Sequence, residues 1–163
     1  MSSPTVITLE PAPDEAPTAI GLVVSRYNDW ITSRLREGAV EEFTRRAGDG
    51  GRLEIATVPG TFEIPAAAAA FASRTDIDAV VCLGCVIRGE TDHDRYINDA
   101  VSHALTRISI DTGIPVTFGI LTTNNPEQAE ARAGGAMGNK GAEAMAAAFD
   151  IAATVQHIIA RDI

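Results

Sequence analysis

The chain predicts an α/β fold, a three-layer sandwich with a four-stranded parallel sheet between helices, and three observations carry that prediction. Apolar runs of strand length alternate with stretches whose apolar residues recur at helical spacing, giving four strand-then-helix units. The run beginning at Ala79 (Ala-Val-Val-Cys-Leu-Gly-Cys-Val-Ile) is nearly continuous, as suits a parallel strand covered on both faces rather than a half-exposed antiparallel one. Parallel neighbours also need long crossovers, and the helical stretches supply them in the right-handed sense.

In chain order, residues 6–9 form a short candidate strand and residues 10–18, rich in Pro and acidic side chains, an extended connector. Residues 1–19 are thus an N-terminal arm ahead of one domain over 20–163, a length that fits a single core. Residues 20–25 form the next strand, and the loop Arg26-Tyr27-Asn28-Asp29 leads to a helix with Ile31, Leu35, Ala39 and Phe43 on one face. Asp29 is its expected N-cap. After a turn over 48–51, residues 53–58 form a strand ended by Pro59-Gly60, and the Ala-rich stretch 64–74 a helix.

The third strand of the domain starts at Ala79, and its helix carries Ile97, Val101, Leu105 and Ile108 on one face before Gly113 and Pro115 stop it. Residues 116–121 form the fourth. Asn125-Pro126-Glu127-Gln128 combines an N-cap, Pro at the first helical position and Gln at the third, which starts a short helix ending near Ala133. A loop over 134–141 containing Asn139-Lys140 precedes a last Ala-rich helix to about residue 160.

Bulk properties exclude several functions. With 13 basic against 22 acidic residues the net charge is −9, which argues against a nonspecific nucleic-acid or anionic-membrane surface. The N-terminus has no basic region followed by an apolar core, and the longest apolar runs, such as 64–72, fall short of the roughly 18 residues a span requires, so a cytoplasmic protein is expected. Cys82 and Cys85 spell C-x-x-C, but in an extended strand their Cα atoms lie roughly 10 Å apart, too far for a disulfide. Two cysteines and the scattered His93, His103 and His157 do not make a zinc set, so both cysteines read as strand residues. No G-x-G-x-x-G, Walker loop, G-x-S-x-G elbow or H-E-x-x-H occurs.

The expected site lies beyond the third strand, because ligands of open parallel sheets bind past the strands' carboxyl ends, where helix N-termini favour anions. Arg88-Gly89-Glu90-Thr91 sits there, followed by His93, a side-chain type able to move protons either way near neutrality. Of eight aromatic residues, Tyr27, Phe62 and Phe118 fall in or near strand ends, where they could stack on a flat ring. Arg88, Arg132 and Lys140 are the candidate phosphate cations. Together these residues support a cofactor-free site for a planar heterocycle and a small phosphate, with the reaction left open.

Five motifs in order then resemble the 6,7-dimethyl-8-ribityllumazine synthase family: Ser-Arg-Tyr-Asn-Asp, Val-Pro-Gly-Thr-Phe-Glu-Ile-Pro, Gly-Cys-Val-Ile-Arg-Gly-Glu-Thr-Asp-His, Phe-Gly-Ile-Leu-Thr-Thr-Asn-Asn-Pro-Glu-Gln-Ala and Gly-Asn-Lys-Gly. The resemblance spans roughly residues 20–148 and implies condensation of 5-amino-6-(D-ribitylamino)uracil with 3,4-dihydroxy-2-butanone 4-phosphate, the penultimate step of riboflavin synthesis, without cofactor or metal. By position, it implies that Tyr27 stacks on the pyrimidine while Thr61, Phe62, Glu63 and the backbone of Cys85, Val86 and Ile87 hold the ring and ribityl chain. Phe118 would close the pocket from a neighbouring subunit. Glu90 and Thr91 would offer backbone N–H groups to the phosphate, Arg132 its cation with Lys140 near the same region, and His93 would be the acid/base.

The resemblance also implies homopentamers, stacked in some relatives into icosahedral shells of sixty, with the N-terminal strand added to a neighbouring subunit's sheet and riboflavin synthase as a further partner. Two residues depart from the family pattern: Tyr27 stands in place of the usual phenylalanine, and His93 is followed by Asp94-Arg95-Tyr96 rather than by an aromatic residue and then a carboxylate. Three other readings remain open: a module that retains a flavin or lumazine without turnover, a cage whose role is assembly or cargo enclosure, and, more distantly, a phosphate-recognising receiver or flavodoxin-like domain, whose acidic pocket or FMN loops are not evident.

Overall fold

A computed structural model describes residues 4–10 and 19–160. Strands β1 (Ala19–Ser25), β2 (Arg52–Val58), β3 (Ala79–Ile87) and β4 (Val116–Thr123) form one sheet in the order β2-β1-β3-β4, parallel at every pairing. Helices α1 (Asp29–Arg46), α2 (Ile64–Ala72), α3 (His93–Thr112), α4 (Pro126–Arg132) and α5 (Lys140–Ala160) are its crossovers and covers. The fold is the α/β sandwich the sequence predicts.

Alternation along each strand splits the core in two. Leu22, Val24, Val81, Leu83 and Cys85 point to the side of α1, α4 and α5, where they meet Leu35, Phe43, Met145 and Phe149. Val23, Val80, Cys82 and Val86 point to the side of α2 and α3, against Ile64, Ala68, Val101 and Leu105. Burial on both faces is why β1 and β3 read as unbroken apolar runs. Cys82 and Cys85 therefore face opposite layers, and both are buried free thiols.

The helix starts differ in chemistry. Asn125 caps α4 as expected, its side-chain oxygen accepting from the Gln128 N–H at 2.9 Å, while Gln128 Oε1 accepts from the Asn124 N–H at 3.0 Å. Asn139 does the same for α5, accepting from the Gly141 and Ala142 N–H groups at 2.9 and 3.2 Å, and its Nδ2 donates to the Arg34 carbonyl at 2.9 Å. Gly141 lies so close to α1 that any added Cβ would collide with the Leu35 carbonyl. The Gly-Asn-Lys-Gly motif thus anchors α5 to α1.

Several expectations need correction. Asp29 is the first residue of α1 and not its cap; Asn28 holds the cap position, with no side-chain bond to the helix. Helix α2 stops at Ala72, where the Arg74 N–H closes a tighter last turn on the Phe71 carbonyl and its side chain pairs with Glu54 and Asp76, and a 3-10 turn over Thr61–Glu63 precedes the helix. Strand β4 runs on to Thr123. The 134–141 segment holds a small hairpin, β5 (Ala133–Gly135) against β6 (Gly138–Asn139). Among the described residues, 6–9 pair with no strand, and Val6 and Ile7 are 88% and 59% exposed. The connector, apart from Glu10, lies outside the described residues. Among the described residues no helix is long and apolar enough to cross a membrane.

Candidate functional site

A parallel sheet brings the carboxyl ends of its strands to one end, so the loops after β1, β2 and β3 converge there around a cleft of about 460 Å³, a volume usual for small-molecule sites. The loop after β1 supplies Tyr27. The segment after β2 supplies Gly60, Thr61, Phe62 and Glu63, and β3 supplies Cys85, Val86 and Ile87. Gly89, Thr91 and the α3 residues His93, Asp94 and Ile97 close the far side.

Local folding sets these groups. The Arg26 N–H donates to the Val58 carbonyl at 2.8 Å and the Tyr27 N–H to the Pro59 carbonyl at 3.0 Å, which fastens the first loop beside the second. Thr61 is buried at the base of its 3-10 turn, whereas the rings of Tyr27 and Phe62 are 71% and 60% exposed. Apolar rings left in water at a cleft mouth are available to a flat ligand. Gly84 leaves room for Thr61, since a Cβ there would stand 2.8 Å from Thr61 Oγ1 and 3.1 Å from Ile64 Cδ1.

Past β3, the Arg88 N–H donates to the Thr123 carbonyl at 2.8 Å, and Glu90 lies exposed in the loop, outside the cleft lining. Asp92 flanks α3 without a side-chain cap. The first N–H groups of a twenty-residue helix, with its dipole, are therefore presented beside Gly89 and Thr91, an arrangement suited to an anion. His93 begins that helix and is exposed to the cleft.

The cysteines add no reactive group. Burial pushes the Cys85 thiol up to about 11 and raises Cys82 as well, so neither is a thiolate near neutrality. Among the described residues no three His, Cys, Asp or Glu side chains gather as a metal set.

The remaining expected residues lie elsewhere. Phe118, Arg132 and Lys140 line a second cleft, of about 400 Å³, along the edge strand β4 and the start of α5. Phe118 is 47% exposed, Arg132 donates to the Gln128 carbonyl at 3.1 Å, and Lys140 pairs with Glu143 at 2.6 Å. One chain thus holds the aromatic slot, helix N-terminus and histidine in one place and Arg132 and Lys140 in another, while Arg88 follows β3 outside both linings.

Sequence reasoning passed over Asn28, whose Nδ2 donates to the Cys85 carbonyl at 2.9 Å, and over Asp94 and Glu143 as lining residues. Asparagine's tolerance of left-handed backbone was the available signal for Asn28. Ile97, assigned to the buried face of α3, also reaches the cleft.

A family model described as 6,7-dimethyl-8-ribityllumazine synthase matches residues 17–156. Two proteins named 6,7-dimethyl-8-ribityllumazine synthase, from two strains of Thermus thermophilus, are each 43% identical over 151 residues, covering 93% of this chain and 96% of theirs.

Proposed function

The chain belongs to the 6,7-dimethyl-8-ribityllumazine synthase family, and from that premise we propose that the cleft at the ends of β1, β2 and β3 is where its chemistry takes place. The reaction condenses 5-amino-6-(D-ribitylamino)uracil with 3,4-dihydroxy-2-butanone 4-phosphate to 6,7-dimethyl-8-ribityllumazine, a transferase step of riboflavin biosynthesis. The observation that carries the assignment of the site is the meeting of exposed rings, an uncapped helix N-terminus and a histidine in one cleft.

In this reading the pyrimidine stacks on Tyr27 and hydrogen-bonds the strand edge of Cys85, Val86 and Ile87, with Thr61, Phe62 and Glu63 along the ribityl chain. The phosphate sits at the start of α3, near the backbone of Glu90 and Thr91. The substrate amine attacks the ketone carbonyl and water leaves as the imine forms; phosphate is then eliminated, and ring closure expels a second water. Each step moves protons, and His93, at the mouth of the same helix, carries them. Holding two reactants together in one slot supplies much of the remaining rate.

Phe118, Arg132 and Lys140 enter the site from a neighbouring copy. Their separation from His93 within one chain, and their position on the edge strand β4, support that arrangement. A homopentamer, alone or stacked into an icosahedral shell, is the proposed assembly, with the arm over 1–19 adding to the neighbour's sheet and one domain over 20–163. The exposed Val6 and Ile7 and the open edge at β2 support the added strand. The cytoplasm is the proposed location and riboflavin synthase, which consumes the product, the proposed partner.

The test is to mix purified protein with both substrates and follow the lumazine chromophore beside a His93→Ala control. Formation well above the uncatalysed background, reduced in the variant, is expected. No acceleration, with tight binding of lumazine or riboflavin, would replace the synthase with a binding module.

A further inference from the structure

Resting on the reading of this cleft as the pyrimidine site, we infer that Asn28 is a positioning residue that sets the width of the slot between the Tyr27 ring and the backbone of residues 85–87. Among the described residues it is the one non-glycine residue in the left-handed region, at φ 58° and ψ 47°, where Asn is tolerated better than most side chains. An Asn at a helix start ordinarily caps the helix with its side chain. Here that bond is absent, and Nδ2 donates instead to the Cys85 carbonyl at 2.9 Å.

The sheet explains why this bond is needed. Pairing of β1 with β3 ends at Val24 opposite Leu83, whereas β3 continues along β4 to Ile87. Beyond Leu83 the β1 side of β3 has no ladder partner, and the Asn28 amide occupies that position. Its own carbonyl meanwhile accepts from the Ile31 and Thr32 N–H groups at 2.9 and 3.0 Å, and the preceding Tyr27 N–H is held by Pro59. One residue therefore joins the start of α1, the loop that carries the stacking ring and the strand edge that reads the pyrimidine. A planar ligand between ring and strand edge binds only if that distance is held.

The test compares Asn28→Gly, which keeps the left-handed backbone but removes the amide, with Asn28→Asp, which keeps the shape but sets a carboxylate oxygen against the Cys85 carbonyl. For Asn28→Gly, KM for ribitylaminouracil should rise about 5- to 10-fold, the worth of one neutral hydrogen bond, with KM for butanone phosphate within about twofold. Asn28→Asp should raise the pyrimidine KM further, with both variants fully folded at the assay temperature and Tm lowered by no more than the loss of one hydrogen bond accounts for. An unchanged pyrimidine KM in Asn28→Gly, or a rise of both KM values in step with lost thermal stability, would overturn the inference by leaving Asn28 a purely structural role. Equilibrium binding of the lumazine product, weakened in the same order across the variants, reads positioning without turnover. An inactive parent would count against the synthase reading alone, whereas unchanged product binding in Asn28→Gly would count against the role of Asn28.

Discussion

The two ends of the parallel sheet treat their polar groups in opposite ways. At the end where the strands begin, charges are closed within the chain: Arg74 forms two bonds to Glu54, at 2.7 and 2.9 Å, and two to Asp76, each 2.9 Å, while Arg52 joins Asp76 at 2.8 Å. The Ala19 N–H donates to Asp78 Oδ2 there, at 2.9 Å. At the end where the strands finish, α3 begins without a side-chain cap and Tyr27 and Phe62 stay in water. The satisfied end contributes to holding the fold, and the unsatisfied end is left to meet a ligand.

Four substitutions break or sharpen that contrast. The largest effect is expected at the open end, where His93→Ala should lower kcat by about 100-fold, the lower end of the range for a general acid/base, with unchanged thermal unfolding. A variant with intact assembly and substrate binding but no residual rate would show that the histidine does more than move protons. Asn28→Gly belongs to the same end and should weaken binding of one substrate while the protein stays folded at the assay temperature.

Gly84 is where the contrast should blur, because Thr61 Oγ1 and Ile64 Cδ1 already crowd its missing Cβ. Gly84→Ala should cost about 1–3 kcal/mol of stability, as overpacking does, and also weaken pyrimidine binding by displacing Thr61. Denaturant unfolding and KM, measured together, check it; a loss in only one of them would mean that Thr61 and the core move independently.

The smallest effect is at the closed end. Hydrogen bonds from Arg74, joined by Arg52, hold the Asp76 carboxyl well below the usual carboxylate range, and Arg74 lowers Glu54 likewise. The unfolded chain, with carboxyls near the ordinary ~4, then binds more protons than the folded one at mildly acid pH. The stabilisation is full above the unfolded value and is lost as pH falls through the folded ones. Arg74→Ala should therefore show a smaller fall in Tm between about pH 5 and pH 2 than the parent, leave activity at neutral pH intact, and differ less at high salt, since these groups are solvent-exposed. Equal acid sensitivity in the two proteins would remove the ion network from the account of stability.

What the sequence could and could not disclose follows from the range of each interaction. Strand β3 and the helix start at His93 were legible because two-sided burial and local order are written in consecutive residues. The Asn125 cap was legible for the same reason, its partner being three residues away. Arg74 read as the end of a helix because its partner Glu54 lies twenty residues back. Asn139 read as part of a loop because its bond to Arg34 spans 105 positions. The hairpin over Ala133–Asn139 is too short for alternation to register, with strands of three and two residues. Strand ends, charge and the family resemblance together named the candidate residues, and the resemblance put Phe118 on a neighbouring subunit, but the grouping of Arg132 and Lys140 with Phe118 along an edge strand needed the sheet order.

That division has a genetic corollary. Under the proposed joining of copies, a chain bearing His93→Ala and a chain bearing Arg132→Ala are each defective on a different side of the shared site. Refolded together, they would form some junctions in which an intact histidine side meets an intact arginine side. Two alleles of low activity would then together restore growth that neither supports alone, a complementation that a site shared between chains permits.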